Sequence, residues 1–583
     1  MIAKRVLMTS LFVGGAAYGG VGMAFAQVDG VEGSSSAIQR ERVEIPREDG
    51  DGIFDLPDVD TLLAKRDGLP SVGVTFVLST IEITGSSPIG DASLRAIADE
   101  YTGREVTQSE LIEMRDRMTV EMVRAGYITS GVVIPDQSVD DGTLTVEARA
   151  GVLSEVVVST DGELDADYVT GILWPNAEKP LDAGELRGRF KRLLKDSHVA
   201  SANARLEPGT VQGEARLNID VTEAPDWDLI AFTGTDRSPS IGGLRGGVVG
   251  VKRNLFTPGD GIGIEMGATE GLLDFLVNYD MPIADTGWKL LFDATYADAE
   301  VIEEPLNELD VTSKSFSASA GLRVPLIIKD NFSLISTSRI THKESEAELA
   351  GVPFSFSPGA VDGKTEITTF RTSASLTYFG NGYAMQSSLT LTKGLDALEA
   401  EAVAPSIPGE EFTYLNGSIE VFAQSPFRAS HKIIGNVRVQ QADDVLYSQE
   451  RMSMGGLNSV RGYRSNELLV DRGFTAGIEY RFPVSDIITP LQDTLYGSAS
   501  RLEAGIFLAH GEGDNARGVD PTVDSITSGG LNLKWRPNNV LSIDAFAAAR
   551  FEDVPPRDED PIQDEGFGFM VRLDLAEIIR NRS

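Results

Sequence analysis

Residues able to do covalent or metal chemistry are few in this chain. There is no cysteine among 583 residues, so thiol nucleophiles, thiolate metal sites and disulfides are all excluded. The four histidines, His198, His342, His431 and His510, are scattered without ligand spacing, and no metal is expected. No Gly-x-Ser-x-Gly stretch occurs, and no Ser/His/Asp set lies on strands that could meet. The glycine-rich run Gly259-Asp260-Gly261-Ile262-Gly263 lacks the Lys-Ser/Thr of a phosphate-cradling loop and reads as a turn. A net charge of −37 would repel phosphates, so nucleic acid is not an expected partner. The sequence therefore predicts no enzyme and no cofactor. What remains is binding or passage, and the elements that would serve it can be read from the patterning.

The N-terminus has the three parts of a secretory signal: Lys4 and Arg5, an apolar run from Val6 to Val13 interrupted by Thr9 and Ser10, and the cleavage pattern Ala24-Phe25-Ala26. A membrane anchor is the alternative, but the run is short and glycine-rich. No later segment offers 18 uncharged apolar residues for a transmembrane helix. The mean hydropathy of −0.08 suits a soluble secreted protein and a β-barrel equally. Residues 27–73 form a polar leader, with one short helix possible over Ser35–Glu44 and an extended linker from Pro46 to Pro70.

Two small α/β modules come next, at 74–151 and 152–225. In the first, a strand around Phe76–Ile83 precedes helical spacing at Leu94, Ile97, Ala98 and Tyr101. Thr107-Gln108-Ser109-Glu110 is a capping box that starts a second helix, and Gly126 stands at its C-cap. Strands at Ile128–Ile134 and Leu144–Ala148 complete a β-α-α-β-β order. The order recurs in the second module, with strands at Val152–Ser159, Val199–Leu206 and Ala215–Thr222 and helices at Tyr168–Leu173 and Leu186–Lys195. An exposed edge of such a sheet can take up an extended peptide as an added strand. The other reading is that these sheets only brace the C-terminal half of the chain.

From residue 226 to 583 the period becomes two. Trp288, Leu290, Phe292, Ala294 and Tyr296 alternate with Lys289, Asp293 and Thr295. The runs Phe316–Val324, Phe474–Phe482 and Phe567–Leu575 behave alike, each about ten residues long, which suits a tilted strand crossing a bilayer. One face is oily and aromatic; the other is small, polar or charged, as around a wet lumen. At roughly 22 residues per strand and connection this segment holds about 16 strands. The bilayer forces closure, because an open edge would leave backbone groups unpaired in lipid. A soluble β-sandwich or propeller is the alternative architecture.

The stretch from Leu446 to Tyr463, with its core Val460-Arg461-Gly462-Tyr463, resembles the hallmark of two-partner secretion transporters. These are the hemolysin secretion/activation proteins of the Omp85 superfamily. Gly455-Gly456 before the core and Asp471-Arg472-Gly473 after it extend the resemblance. In the first module Gly126-Tyr127-Ile128-Thr129-Ser130 and Ile134-Pro135-Asp136-Gln137 are similar to the family's first POTRA domain. Asn254-Leu255-Phe256 with Gly259-Asp260, Tyr279 and Pro282, and Leu322–Leu326 are also familiar.

The resemblance implies a transmembrane antiparallel β-barrel of about 16 strands with two N-terminal periplasmic α/β POTRA domains, seated in the bacterial outer membrane. It implies a secreted exoprotein as cargo, outer-membrane lipid around the barrel, and the assembly machinery for its own insertion. It further implies that the loop bearing Val460–Tyr463 folds into the barrel and that Arg461 pairs with an acid in a motif like F-x-D-x-G. The expected counterpart is Arg501-Leu502-Glu503-Ala504-Gly505, with Glu503 as partner, although Glu replaces Asp and the phenylalanine is missing. An ordinary lumen charge is the other reading of Glu503. The leader helix would correspond by position to the family's plug. Alternatives in function are an assembly factor of the same superfamily, which would carry more POTRA units, and a passive porin, which would need none. The chain also runs past Phe569 into a short polar tail, Ala576–Ser583, where the family usually ends on an aromatic.

Overall fold

A computed structural model describes residues 54–55, 75–139, 141–194, 196–211, 213–283, 286–395, 407–409, 411–486, 501–517, 520–554 and 561–580. The expected signal segment and the helix over Ser35–Glu44 lie outside the described residues.

The leader contributes one short strand, β1 (Phe54–Asp55). The first module holds β2 (Thr75–Val77), β3 (Thr80–Gly85), α1 (Asp91–Asp99), β4 (Glu105–Thr107), α2 (Gln108–Arg124), β5 (Gly131–Val133) and β6 (Thr143–Arg149). The single strand expected over Phe76–Ile83 is two, because β2 turns away to pair with β4 while β3 pairs in parallel with β6. The capping box forms: Thr107 accepts the Glu110 backbone N–H, and the Glu110 carboxylate accepts the Thr107 N–H at 2.7 Å. Leu111, Met114, Met118 and Met122 of α2 are buried on one face against Leu94, Leu144 and Val146, as their spacing requires.

The second module repeats the plan with β7 (Val152–Thr160), α3 (Ala166–Leu173), α4 (Ala183–Leu193), β8 (Val199–Pro208) and β9 (Glu214–Glu223). In both modules the first strand lies parallel to the last, and the middle strand pairs antiparallel to the last.

The barrel is closed and antiparallel. Its strands begin with β10 (Trp227–Gly234), β11 (Arg245–Arg253), β12 (Gly261–Ala268), β13 (Leu272–Ile283) and β14 (Trp288–Glu300). They continue with β15 (Val311–Ile328), β16 (Phe332–Leu349), the two-residue β17 (Val352–Pro353), β18 (Lys364–Gly380), β19 (Tyr383–Leu395), β20 (Thr413–Gln424) and β21 (Lys432–Ala442). A small hairpin, β22 (Met452–Met454) and β23 (Leu468–Val470), sits apart from the wall. The wall resumes with β24 (Arg472–Pro483), β25 (Arg501–Asp514), β26 (Ser525–Arg536), β27 (Leu541–Arg550) and β28 (Phe567–Asp574), and β28 pairs with β10. Without the small β17, 16 strands make the wall.

The alternation read from the sequence is the wall's inside and outside. Phe292, Ala320, Ile340 and Phe370 share one register row on β14, β15, β16 and β18, and the three large side chains among them are exposed. Exposed apolar side chains in a continuous band have no soluble partner here; lipid is the solvent that fits them. No helix of the described residues is long and apolar enough to cross a membrane. Strands β15, β16 and β18 run 18, 18 and 17 residues, well beyond a bilayer's need. Their outward faces turn polar beyond Phe316, at Glu344, Glu346 and Lys364, so their far ends stand clear of the oily band. The tail is not simply polar coil: Leu575–Arg580 is a short helix, α5. Its Arg580 donates to the Trp227 carbonyl at 3.0 Å, fastening the end of β28 to the start of β10.

Candidate functional site: the inward loop and its seat

Strands β21 and β24 are adjacent in the wall, yet 443–471 lies between them in sequence. That segment turns inward. Its hairpin β22–β23 brings Met454 and Val470 together with Val460, Tyr463 and Leu468 in a buried cluster against Ala509 and Ile526 of the wall. The wall makes room by having glycine where the loop presses. A Cβ on Gly511 would lie 3.0 Å from Met454 Sδ and 3.2 Å from a Val460 methyl, and one on Gly473 would meet the Met454 methyl at 2.6 Å.

The four residues singled out by sequence each have a distinct place. Val460 is fully buried in the cluster. Arg461 lays its guanidinium over the Phe507 ring at 3.7 Å and donates to Glu479 at 2.9 Å. Gly462 has φ +97°, a left-handed conformation that suits glycine, and a Cβ there would come within 2.7 Å of Ala548. Tyr463 places its hydroxyl 2.9 Å from both the Thr527 carbonyl and a Glu552 carboxylate oxygen.

The expected partner Glu503 is a correction. Arg461 pairs with Glu479, on the strand next door. Glu503 instead accepts from Lys432 at 3.2 Å and lies 3.8 Å from Arg481. Register is the reason. Glu479 is opposite Phe507, the ring under Arg461, whereas Glu503 is opposite Pro483, four residues nearer the periplasmic end. That is roughly 13 Å along a strand, below the depth the loop reaches. The F-x-D-x-G frame fits six residues on: Phe507-Leu508-Ala509-His510-Gly511 keeps the phenylalanine and the glycine and has Ala509 where the acid would stand. The carboxylate is supplied across the ladder by Glu479, which Arg481 and Asn532 also hold, at 2.6 and 2.7 Å.

Two anchors were not foreseen. Glu450 is wholly buried between loop and wall, with Lys343 at 2.9 Å and Arg371 at 2.7 Å, and it accepts from the Tyr414 hydroxyl. Arg464, directly after the singled-out residues, is 1% exposed and bridges Glu303 and Asp564, which lie on connections from two other parts of the barrel mouth. Arg464 adjoins the motif and could have been flagged; nothing in the sequence marks Glu450.

The first-module residues form a joint. Gly126 (φ +99°) ends α2, and its carbonyl accepts the Ala183 N–H of α4 at 3.0 Å. Tyr127 closes that cap through its N–H to Met122. Ile128 packs into the second module's core, and Ser130 accepts the Gly151 N–H at 2.9 Å. Gln137 exchanges hydrogen bonds with both backbone groups of Thr145 and donates to the Pro135 carbonyl, extending the sheet past β5. Gly126, Ile128 and Ser130 hold the modules together, while Tyr127 and Gln137 are spent inside the first module.

The second module is docked on the periplasmic rim. Of the Gly259–Gly263 run, read as a turn, only Gly259 and Asp260 belong to one, and Gly261–Gly263 already pair as the start of β12; Asp260 accepts the N–H groups of Leu255, Phe256 and Thr257 and the Tyr279 hydroxyl. His198 contacts the Asp260 carbonyl at 2.6 Å, and Tyr168 bonds Asp196, which faces Lys289. Burial pushes the Asp196 carboxyl up, but Lys289 and His198 hold it well below the usual carboxylate range. On the outer wall, His342, Glu344 and Glu366 lie within 4.8 Å of one another, a juxtaposition their sequence spacing hides. They are surface groups and no role is assigned to them.

Comparison with known proteins agrees with this architecture. Residues 76–151 match the ShlB-type POTRA domain, and residues 276–489 match the haemolysin secretion/activation protein ShlB/FhaC/HecB. The heme/hemopexin transporter protein HuxB of Haemophilus influenzae is 21% identical over 425 residues, 70% of this chain and 73% of that protein. The outer membrane transporter CdiB of Escherichia coli is 21% identical over 417 residues, 69% of this chain and 68% of its own. Among solved structures, CdiB from Escherichia coli superposes with a TM-score of 0.70 at 16% identity, covering 88% of this chain and 95% of that one. CdiB from Acinetobacter baumannii gives 0.66 at 15% identity, covering 95% and 99%. With a POTRA domain matched over 76–151, the haemolysin secretion/activation protein ShlB/FhaC/HecB matched over 276–489 and a closed lipid-facing barrel, the chain has the build of an outer-membrane two-partner secretion transporter.

Proposed function

We propose that the two modules, the second being a further POTRA domain, collect an unfolded exoprotein in the periplasm and feed it to the barrel. The loop 443–471 is then the part that must leave its seat. The carrying observation is the loop itself: it crosses the lumen and is fastened at three separated points, Glu450, Arg461 and Arg464. A chain cannot pass while all three hold.

The seat is suited to release. Arg461 and Glu450 face polar lumen partners, so on withdrawal each side can be taken up by water, whereas the Met454–Val460–Tyr463 cluster would lose its burial. Opening thus exchanges apolar contact within the loop's seat for contact with the passing chain. No phosphate-cradling motif supplies energy, and direction comes from the cargo folding outside, where the folded state cannot slide back. The cargo is a secreted exoprotein.

The test is export of a cognate secreted exoprotein, co-expressed in cells carrying the wild-type chain or Arg461→Ala. Export by wild type and a strong loss in the variant, at equal barrel insertion, is the expected result. Normal export by the variant would remove the loop's assigned role.

A further inference from the structure

The second module's sheet has a fourth strand that does not belong to the module. In the order β1-β8-β9-β7, the outermost position is taken by the leader residues Phe54 and Asp55. They lie parallel to β8, with Phe54 opposite Ala204 and Asp55 opposite Arg205. Without them β8 would present an open edge of backbone N–H and C=O groups.

Phe54 is more than a backbone partner. Its ring stacks on Phe190 of α4, centroids 4.8 Å apart and planes 18° apart, and it packs on the module's core. Ala204 is small and buried beneath it, which leaves the space the ring occupies. Asp55 adds an ion pair to Arg205 at 3.4 Å, but both side chains are more than half exposed and such a pair contributes little. The grip is an aromatic side chain in a fixed slot plus a two-residue ladder. Such a ladder is too short to be stable alone, so it can be displaced.

We propose that β1 is a built-in stand-in for cargo: the leader keeps the β8 edge covered, and an extended segment of the exported polypeptide bearing an aromatic residue displaces it and takes the same slot on Phe190. This rests on the transporter reading and specifies where in the second module the cargo is held and by what side chain. It also gives the leader a purpose, because an unoccupied edge would pair with other extended chains, and β1 prevents that until cargo competes.

The mature full-length chain in detergent micelles can be probed with a labelled synthetic peptide of residues 50–59, which carries the Phe54-Asp55 step. Phe54→Ser should vacate the edge and raise affinity for the peptide about tenfold over wild type, given the size of a ring stack and two backbone hydrogen bonds. Phe190→Leu in the same background keeps the core filled and should abolish the gain. Because the chain has no cysteine, Asp55→Cys with Arg205→Cys can pin the leader on the edge by a disulfide. The pinned form should bind no peptide, and binding should return on reduction. Equal binding by wild type, Phe54→Ser and the pinned form would overturn the proposal, as would failure of the two cysteines to join. In cells, export of the partner protein by wild type alongside unimpaired export by the pinned form would sink this inference alone. No export by wild type would sink the transporter reading instead.

Discussion

The barrel is gripped from both ends, by the inward loop above and the second module below, and the two grips are made differently. The module is seated by close approaches that only glycine allows, with side chains of Tyr168, Asp196, His198 and Lys191 around them. Gly188 of α4 lies where a Cβ would be 2.0 Å from the Lys329 carbonyl, and Gly259 of the rim lies where a Cβ would strike the Tyr168 ring at 2.4 Å. The loop is held mainly by side-chain ends: Glu450 on Lys343 and Arg371, Arg461 on Glu479, Arg464 on Glu303 and Asp564. A close steric fit at glycine has no graded intermediate, so the module should stay put or detach as a unit. Separate ion pairs at three points can be undone one at a time. Rigidity thus belongs to the periplasmic end and release to the loop.

The largest expected effect is at the loop. Arg461→Ala leaves Glu479 without one cation and Phe507 without its stacked guanidinium. Breaking a mostly buried pair costs about 3 kcal/mol, roughly a hundredfold in seating of the loop. Planar-bilayer conductance should rise, and export should fall at least tenfold because a loop with no defined seat to leave or return to stays in the path of the passing chain. A variant with a loose loop and unchanged export would break the comparison at its centre.

Next in size is a relocation of charge. Glu479→Gln should reproduce much of the Arg461→Ala loss, with export down several-fold. Adding Ala509→Asp, which puts an acid on β25 at the third position of the Phe507–Gly511 frame, should restore part of it. Rescue would show that the loop needs a carboxylate near Phe507 and is indifferent to which strand bears it. No rescue would make Glu479 specific, through Arg481 and Asn532.

Smaller is the module's fit. Gly188→Ala should lift α4 off the Lys329 turn and lower export several-fold, with conductance and barrel insertion unchanged. Crosslinking between α4 and the rim measures the lift directly.

Smallest is the pH response of the same contact. Asp330, on the turn between β15 and β16, is pushed up by burial but held below the ordinary carboxylate range by Lys191 and Arg187. A carboxyl lowered in the docked state contributes fully above its free value, about 4, and the contribution is lost as pH falls through the lowered value. Fluorescence transfer between module and barrel should therefore hold steady from neutrality down to about pH 4 and fall only below it. Asp330→Asn should give a lower, pH-independent signal.

Much of this fold was legible in the sequence because its signals are local. The capping box at Thr107–Glu110 and the alternation at Trp288–Tyr296 depend on neighbours a few residues away. Arg461's partner was not legible, because it is set by the register between β24 and β25, which no local pattern states. Glu479 and Glu503 have the same parity on facing strands, and only the depth of the loop separates them. The module repeat was readable; the strand β1 was not, since two residues carry no period. The length of β15, β16 and β18 was hidden too, since polar residues on both faces beyond the lipid look like loop.

The central claim is that export requires the loop to leave its seat, and a lock tests it most directly. Gly511 and Val460 are near enough, a Gly511 Cβ falling 3.2 Å from a Val460 methyl, for Val460→Cys with Gly511→Cys to join loop to wall in a chain that has no other cysteine. The oxidised protein should export nothing and the reduced protein should recover. Export by the oxidised, verified crosslink at the reduced rate would contradict the account.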